Sequence, residues 1–65
     1  MEKYYTDYEL GSALEAHEDY HLDAHGESYI STETTPDGKI ISFYVGRMDD
    51  RGNALTGYDE TYPER

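Results

Sequence analysis

Small and apolar residues recur at helical spacing through the first third of this chain. Leu10, Ala13, Leu14, His17, Tyr20, His21 and Ala24 fall on one face of a helical wheel, and Glu9, Glu15, Glu18, Asp19 and Asp23 occupy the rest. Leu22 lies among the acids and breaks the pattern. The spacing predicts an amphipathic helix whose wet side is almost purely anionic. Thr6-Asp7-Tyr8-Glu9 has the form of a capping box, with Tyr5 and Leu10 at the positions of a hydrophobic staple, so the helix is expected to begin near Asp7. Ser12-Ala13-Leu14-Glu15 is a second capping box, and Gly11 between the two leaves a start about one turn later open. Gly26, after His25, is the expected C-terminal stop.

From Ser28 the period changes from helical to alternating. Ser28 to Thr35, then Pro36-Asp37-Gly38, then Lys39 to Val45 reads as strand, turn, strand. Proline presets the first turn position and glycine accepts positive φ, which predicts a type I turn with a bulge at Gly38. If Thr35 faces Lys39, then Tyr29, Ser31 and Glu33 lie opposite Val45, Phe43 and Ile41. That register makes Ile41, Phe43 and Val45 the core face and puts Ile30, Ile40 and Tyr44 on the other. Asp49-Asp50-Arg51-Gly52-Asn53 is a second turn signal, and Ala54 to Tyr58 is expected to return as a third, weaker strand before an acidic tail. The expected fold is α+β: one N-terminal amphipathic helix packed on a three-stranded antiparallel β-meander, a single domain over residues 1–65 with no internal repeat and no linker.

Composition narrows this further. A chain of 65 residues buries only about 60% of the surface its unfolded form exposes, so modest stability is expected, with a monomer or a weak homodimer in solution. With no Cys there is neither a disulfide framework nor a thiolate metal site, which fits a cytoplasmic setting. The opening Met1-Glu2-Lys3-Tyr4-Tyr5 lacks the basic-then-apolar pattern of a signal peptide, so none is expected, and no apolar run approaches the length of a membrane span.

Charge changes the picture most. Fifteen Asp and Glu stand against five Lys and Arg, a formal net charge of −10. No Lys or Arg falls between Lys3 and Lys39, whereas that stretch holds Asp7, Glu9, Glu15, Glu18, Asp19, Asp23, Glu27, Glu33 and Asp37. Such a field repels DNA and anionic membranes and attracts basic proteins, which argues against direct nucleic-acid binding. On a continuous helix, Glu15 with Asp19 and Asp19 with Asp23 are like-charge neighbours one turn apart, each destabilising by a few tenths of a kcal/mol. Along the helix axis Glu15, Glu18, Asp19 and Asp23 would give one charge per roughly 4 Å, close to the ~3.4 Å spacing of phosphates along one DNA strand. The expected partner-binding residues are therefore Glu15, Glu18, Asp19, Asp23 and Glu27, with Asp7 and Glu9. An ordinary solvated face and adaptation to high salt are the plainer explanations of the same acids.

His17-Glu18-Asp19-Tyr20-His21 matches H-E-x-x-H, in which two His one helical turn apart bind zinc and the Glu polarises a water. The likeness to zinc peptidases covers five residues only. In those families the third ligand lies six residues past the second His or on a following helix, whereas His25 lies four past His21. No metal, cofactor or catalytic residue is assigned from it, and a minimal zinc hydrolase is the remotest alternative. The eight tyrosines, at positions 4, 5, 8, 20, 29, 44, 58 and 62, are either wet-edge padding of a small core or partner contacts. Of these, Tyr4, Tyr5, Tyr8 and Tyr62 sit where the expected fold needs them least.

In size, lack of Cys, the acid run Glu15, Glu18, Asp19, Asp23, Glu27 and the helix-plus-meander plan, the chain resembles the small acidic phage proteins that inhibit host defence as DNA mimics, anti-CRISPR proteins among them. The resemblance is one of class and carries no residue over by position. It implies a non-enzymatic inhibitor, in the host cytoplasm, that occupies the basic nucleic-acid-binding or PAM-reading site of a CRISPR effector complex. Alternatives are an inhibitor of another DNA-binding protein (a restriction enzyme, a repair or a nucleoid protein) and a plain acidic interaction module.

Overall fold

The structure, a computed structural model, describes residues 3–65. One helix, α1 (Asp7–Tyr20), is followed by three strands, β1 (Glu27–Thr34), β2 (Ile40–Met48) and β3 (Glu60–Tyr62). The strands form an antiparallel sheet in the order β1-β2-β3, so the architecture is the expected α+β.

The helix starts where the capping box places it. The Thr6 hydroxyl accepts the Glu9 N–H at 3.2 Å, and the Glu9 carboxylate accepts the Thr6 N–H at 3.0 Å, satisfying two otherwise free donors reciprocally. The second box plays no such part, because Ser12 and Glu15 lie in the middle of α1. Leu10, Ala13 and Leu14 face the sheet, where Ala13, Phe43 and Val45 are buried and Tyr5, Ile30 and Tyr62 pack around them.

The helix ends six residues before Gly26, which corrects the expected stop. After Tyr20 the chain turns at His21, and the carbonyls of Ala24, His25 and Gly26 point at the Arg47 guanidinium instead of continuing a helical ladder. Gly26 serves a different purpose from a helix cap. It has φ +85°, and a Cβ there would lie 2.0 Å from the Met48 carbonyl oxygen, so only glycine lets β1 start against the end of β2. Tyr20, expected on the buried stripe, is 84% exposed. His21 takes the inner position, its ring 4.7 Å from those of both His17 and Tyr58.

The first hairpin has the expected turn. Thr35 N–H bonds to Lys39 O at 2.8 Å, Gly38 N–H bonds to Thr35 O at 2.9 Å, and Gly38 has φ +90°. The register beyond it is one residue off the expectation. An irregularity between Glu33 and Thr34 leaves Ile41 without an opposite number, so Thr34 pairs with Ile40 but Glu33 pairs with Ser42. Ser31 then faces Tyr44, and Ile30 faces Val45. Since a one-residue slip moves a strand's side chains to the opposite face, Ile30 joins the core with Phe43 and Val45 instead of lying on the far side.

The third strand is also displaced. The Asp49-to-Asn53 turn forms, with Asp49 N–H bonded to Asn53 O and the Asp49 carboxylate accepting from the Arg51 and Asn53 N–H groups, all at 2.9 Å. Ala54 then makes only a single bridge to Met48, and the chain turns again at Thr56-Gly57. The pairing strand comes later, at Glu60–Tyr62, in register with Phe43–Val45. Its anchor is Tyr62, whose ring stacks on Phe43 at 4.4 Å, with Tyr5 edge-on to the other side of the cluster at 4.9 Å. Tyr5 and Tyr62 are thus half-buried against the core, contrary to the expectation that the fold needs them least.

Candidate functional site

The buried polar residues explain how the acidic end is built. Period two along β2 places Arg47 on the same face as Phe43 and Val45, and both Arg47 and His17 are almost wholly enclosed, at 7% and 2% exposure. Arg47 Nε donates to His25 O at 2.7 Å, Nη2 donates to the carbonyls of Ala24 and Gly26, both at 2.9 Å, and Nη1 donates to Ser28 Oγ at 3.1 Å. His17 Nε2 lies 2.7 Å from Tyr58 O, and Nδ1 lies 2.8 Å from Ser28 Oγ. A carbonyl can only accept, so His17 Nε2 carries the proton that goes to Tyr58. In the neutral ring Nδ1 then accepts from Ser28, whose oxygen in turn accepts from Arg47. Every bond in the chain Arg47 to Ser28 to His17 to Tyr58 has one donor and one acceptor, and the segments 24–26 and 58 are tied to the helix and sheet by it.

The H-E-x-x-H stretch has a structural part in the fold. Both ring nitrogens of His17 are engaged in structural hydrogen bonds, His21 is the helix cap residue, and His25 lies off the helix in the following loop. The three imidazoles do not form the stripe that a continuous helix would give. Among the described residues no group of three His, Cys, Asp or Glu is arranged to hold a metal ion.

The acids named from the sequence separate into three groups. Glu15, Glu18 and Asp19 remain on the exposed side of α1. Asp23 is exposed in the loop after α1, and Glu27 is the first residue of β1, so these two do not continue a helical row as expected. Glu27 is brought back beside the helix by the tertiary structure. Glu18 and Glu27 line one groove with His21, Leu22 and Arg47, and Glu27 lines the next with Asp49, Asp50 and Arg51. The pairing of Glu27 with Met48 brings the β2–β3 turn beside the start of β1. Asp49 and Asp50 are therefore acids of this end that sequence separation concealed. Tyr20 and Leu22, 84% and 75% exposed, stand among them.

Asp7 and Glu9 lie at the opposite end of α1. Asp7 is exposed, but the Glu9 carboxylate is already occupied by Thr6 and by the guanidinium of Arg65. Its pKa is held below the ordinary carboxylate value, first by the Thr6 backbone N–H, with the Thr6 hydroxyl and Arg65 adding to the effect against partial burial. The Arg65–Glu9 contact is the one ion pair among the described residues. With Arg47 buried, the acidic end has Arg51 as its exposed base.

No helix among the described residues is long and apolar enough to cross a membrane. Comparison of the chain with protein-family models, curated proteins and solved structures gives no match.

Proposed function

We propose that this domain is an acidic inhibitor that docks on the basic nucleic-acid-binding surface of a protein and keeps the nucleic acid out. The observation that carries the reading is the arrangement of charge at one end of the molecule. Glu18, Asp19, Asp23, Glu27 and Asp50 are exposed without an ion-pair partner among the described residues, Glu18 and Glu27 sharing one groove and Glu27 and Asp50 the next, while Arg47, which lines the first groove, is buried against carbonyls and leaves Arg51 as the exposed base. Exposed unpaired carboxylates in a compact group speed encounter with a basic surface and pair with its Lys and Arg side chains. Tyr20 and Leu22 among them supply apolar contact that a phosphate backbone lacks, and hence specificity beyond charge. The narrower target, the PAM-reading site of a CRISPR effector complex, is proposed from the likeness in size and plan to phage inhibitors.

The test is capture of partners from a lysate by the immobilised domain, with and without competing duplex DNA, followed by target-cleavage assays on purified effectors. A DNA mimic loses its partner to the duplex. The triple variant E18K/D19K/D23K is expected to lose the partner, since each carboxylate that becomes buried and paired at an interface costs about 2–5 kcal/mol when lost and each reversal adds repulsion. All three side chains are exposed, so folding survives. D59K/E60K serves as the comparison and weakens binding less. A folded triple variant that holds its partner as tightly as the parent removes the acidic end from the interface.

A further inference from the structure

At the other end of α1 the structure holds a cation in an aromatic groove. Tyr5, Tyr8, Phe43 and Tyr62 contribute rings to its lining, Glu9 contributes a carboxylate, and Arg65 occupies one side. The Arg65 guanidinium carbon lies 4.4 Å from the centroid of the Tyr5 ring, and both terminal nitrogens of Arg65 donate to the Glu9 carboxylate. A ring face and a carboxylate directed at one guanidinium form a binding site for that group. The site is preorganised by the fold. The bond from Thr6 N–H at 3.0 Å fixes the Glu9 carboxylate, and the Tyr5 ring is held by its edge contact with Phe43 and by donation of its hydroxyl to Pro63 O at 2.6 Å. Tyr8, 84% exposed, forms a wall with little other structural use. A groove of about 310 Å³ stays open beside Arg65.

From this seated guanidinium we infer that the groove is a receptor for an arginine side chain of the basic partner, filled in the free protein by Arg65 as an internal stand-in. An incoming arginine displaces Arg65, takes its place over Tyr5 and against Glu9, and gains contact with Tyr8. The inference rests on the proposed basic partner for its biological occupant, but the chemistry of the groove is testable without that partner. It adds a second anchor, distant from the acidic end, that recognises the planar guanidinium by shape as well as by charge.

The probe is the capped tripeptide Ac-Gly-Arg-Gly-NH2, titrated into the full chain while the ring resonances of Tyr5, Tyr8 and Tyr62 are followed by NMR. Arg65→Ala removes the competitor, and the apparent dissociation constant is expected to fall about fivefold, the worth of one exposed ion pair with a cation–π contact. Arg51→Ala is matched in charge and lies outside the groove, so it leaves the constant within about twofold of the parent. In the Arg65→Ala background, Glu9→Gln keeps the capping box, since Gln also serves at that position, but removes the charge and is expected to weaken binding at least about fivefold. Glu33→Gln, exposed and outside the groove, is its charge-matched control in the same background and changes little. Should Arg65→Ala unfold, as judged by circular dichroism, Arg65→Gln replaces it. The inference is overturned if the three rings fail to respond to peptide in the Arg65 variants. It is equally overturned if Arg51→Ala tightens binding as much as Arg65→Ala, or if Glu9→Gln has no more effect than Glu33→Gln. A responding groove with no DNA-competed partner sinks the docking reading alone, and the converse result sinks the groove alone.

Discussion

Replacing Arg47 by Met keeps an unbranched apolar stem in the core and deletes four hydrogen bonds, to Ala24 O, His25 O, Gly26 O and Ser28 Oγ. At about 0.5–1.5 kcal/mol net per bond the loss spans about 2–6 kcal/mol. The loop that supplies the carbonyls lies at the surface, where His25 is exposed and Ala24 and Gly26 are half-buried, so water recovers part of it. The expected cost is about 3 kcal/mol. A domain of this length has a total stability of about 3–10 kcal/mol, so the substitution removes a large fraction and lowers the melting temperature by about 12–24 °C. Arg51→Met makes the same change in net charge at an exposed turn position and is expected to stay within about 0.5 kcal/mol of the parent. Arg47→Lys falls between them, because a single ammonium cannot reach the fan of acceptors that the planar guanidinium spans. Urea titrations followed by circular dichroism measure all three. Arg47→Met within 0.5 kcal/mol of the parent would refute the view that this network holds the 24–26 loop.

Two glycines should respond in opposite directions to alanine in thermal melts. At Gly46 a Cβ would lie 2.7 Å from Asp59 Oδ1 and 2.9 Å from the Tyr29 ring, so Gly46→Ala is expected to destabilise by about 1–3 kcal/mol. Gly11 lies exposed within α1 with nothing within 4 Å, and Gly11→Ala is expected to stabilise by about 0.5–1 kcal/mol; equal shifts at the two sites would contradict the packing described. At the helix start, Thr6→Ala removes the capping hydroxyl and should cost about 1 kcal/mol, with Thr6→Ser close to the parent in the same assay. On the acid side, Asp37 and Asp49 have lowered pKa values, Asp37 first through the Thr35 hydroxyl and Asp49 first through the Asn53 N–H. A carboxylate depressed in the folded state stabilises it above the unfolded pKa, about 4, and that contribution is lost as pH falls through the lower folded value. Melting temperatures measured from about pH 5 to pH 2.5 should therefore fall less steeply in Asp37→Ala/Asp49→Ala than in the parent, and parallel curves would disprove the assignment.

The local signals were legible because the groups that read them are neighbours in the chain. Thr6 and Glu9 are three residues apart and close their box without help, and Thr35, Gly38 and Lys39 close the first hairpin in the same way. The α+β plan, the helix start and the two turns all belong to this class. The candidate acids Glu15, Glu18 and Asp19 belong to it too, since helical spacing alone puts them on the wet face. One signal was present and unused: Arg47 continues the alternation Phe43, Val45 and so marks itself as an inward-facing cation in need of acceptors.

What remained was decided by contacts between distant segments, which no local pattern encodes. Local propensity and Gly26 favoured a helix through His25, but Arg47, 21 to 23 residues further on, takes the carbonyls of that loop and the helix stops at Tyr20. Stacking of Tyr62 on Phe43 selects Glu60–Tyr62 as the third strand over Ala54 to Tyr58, and the irregularity opposite Ile41 turns Ile30 into the core. The same folding back sets Glu27, Asp49 and Asp50 beside Glu18 and seats Arg65 against Glu9, 56 residues away. Sequence by itself determined the helix start, the first two strands and the turns, because capping, turn chemistry and periodicity act over a few residues. Tertiary structure decided where they end, which faces they bury and which charges meet, because those depend on side chains whose partners lie tens of residues away along the chain.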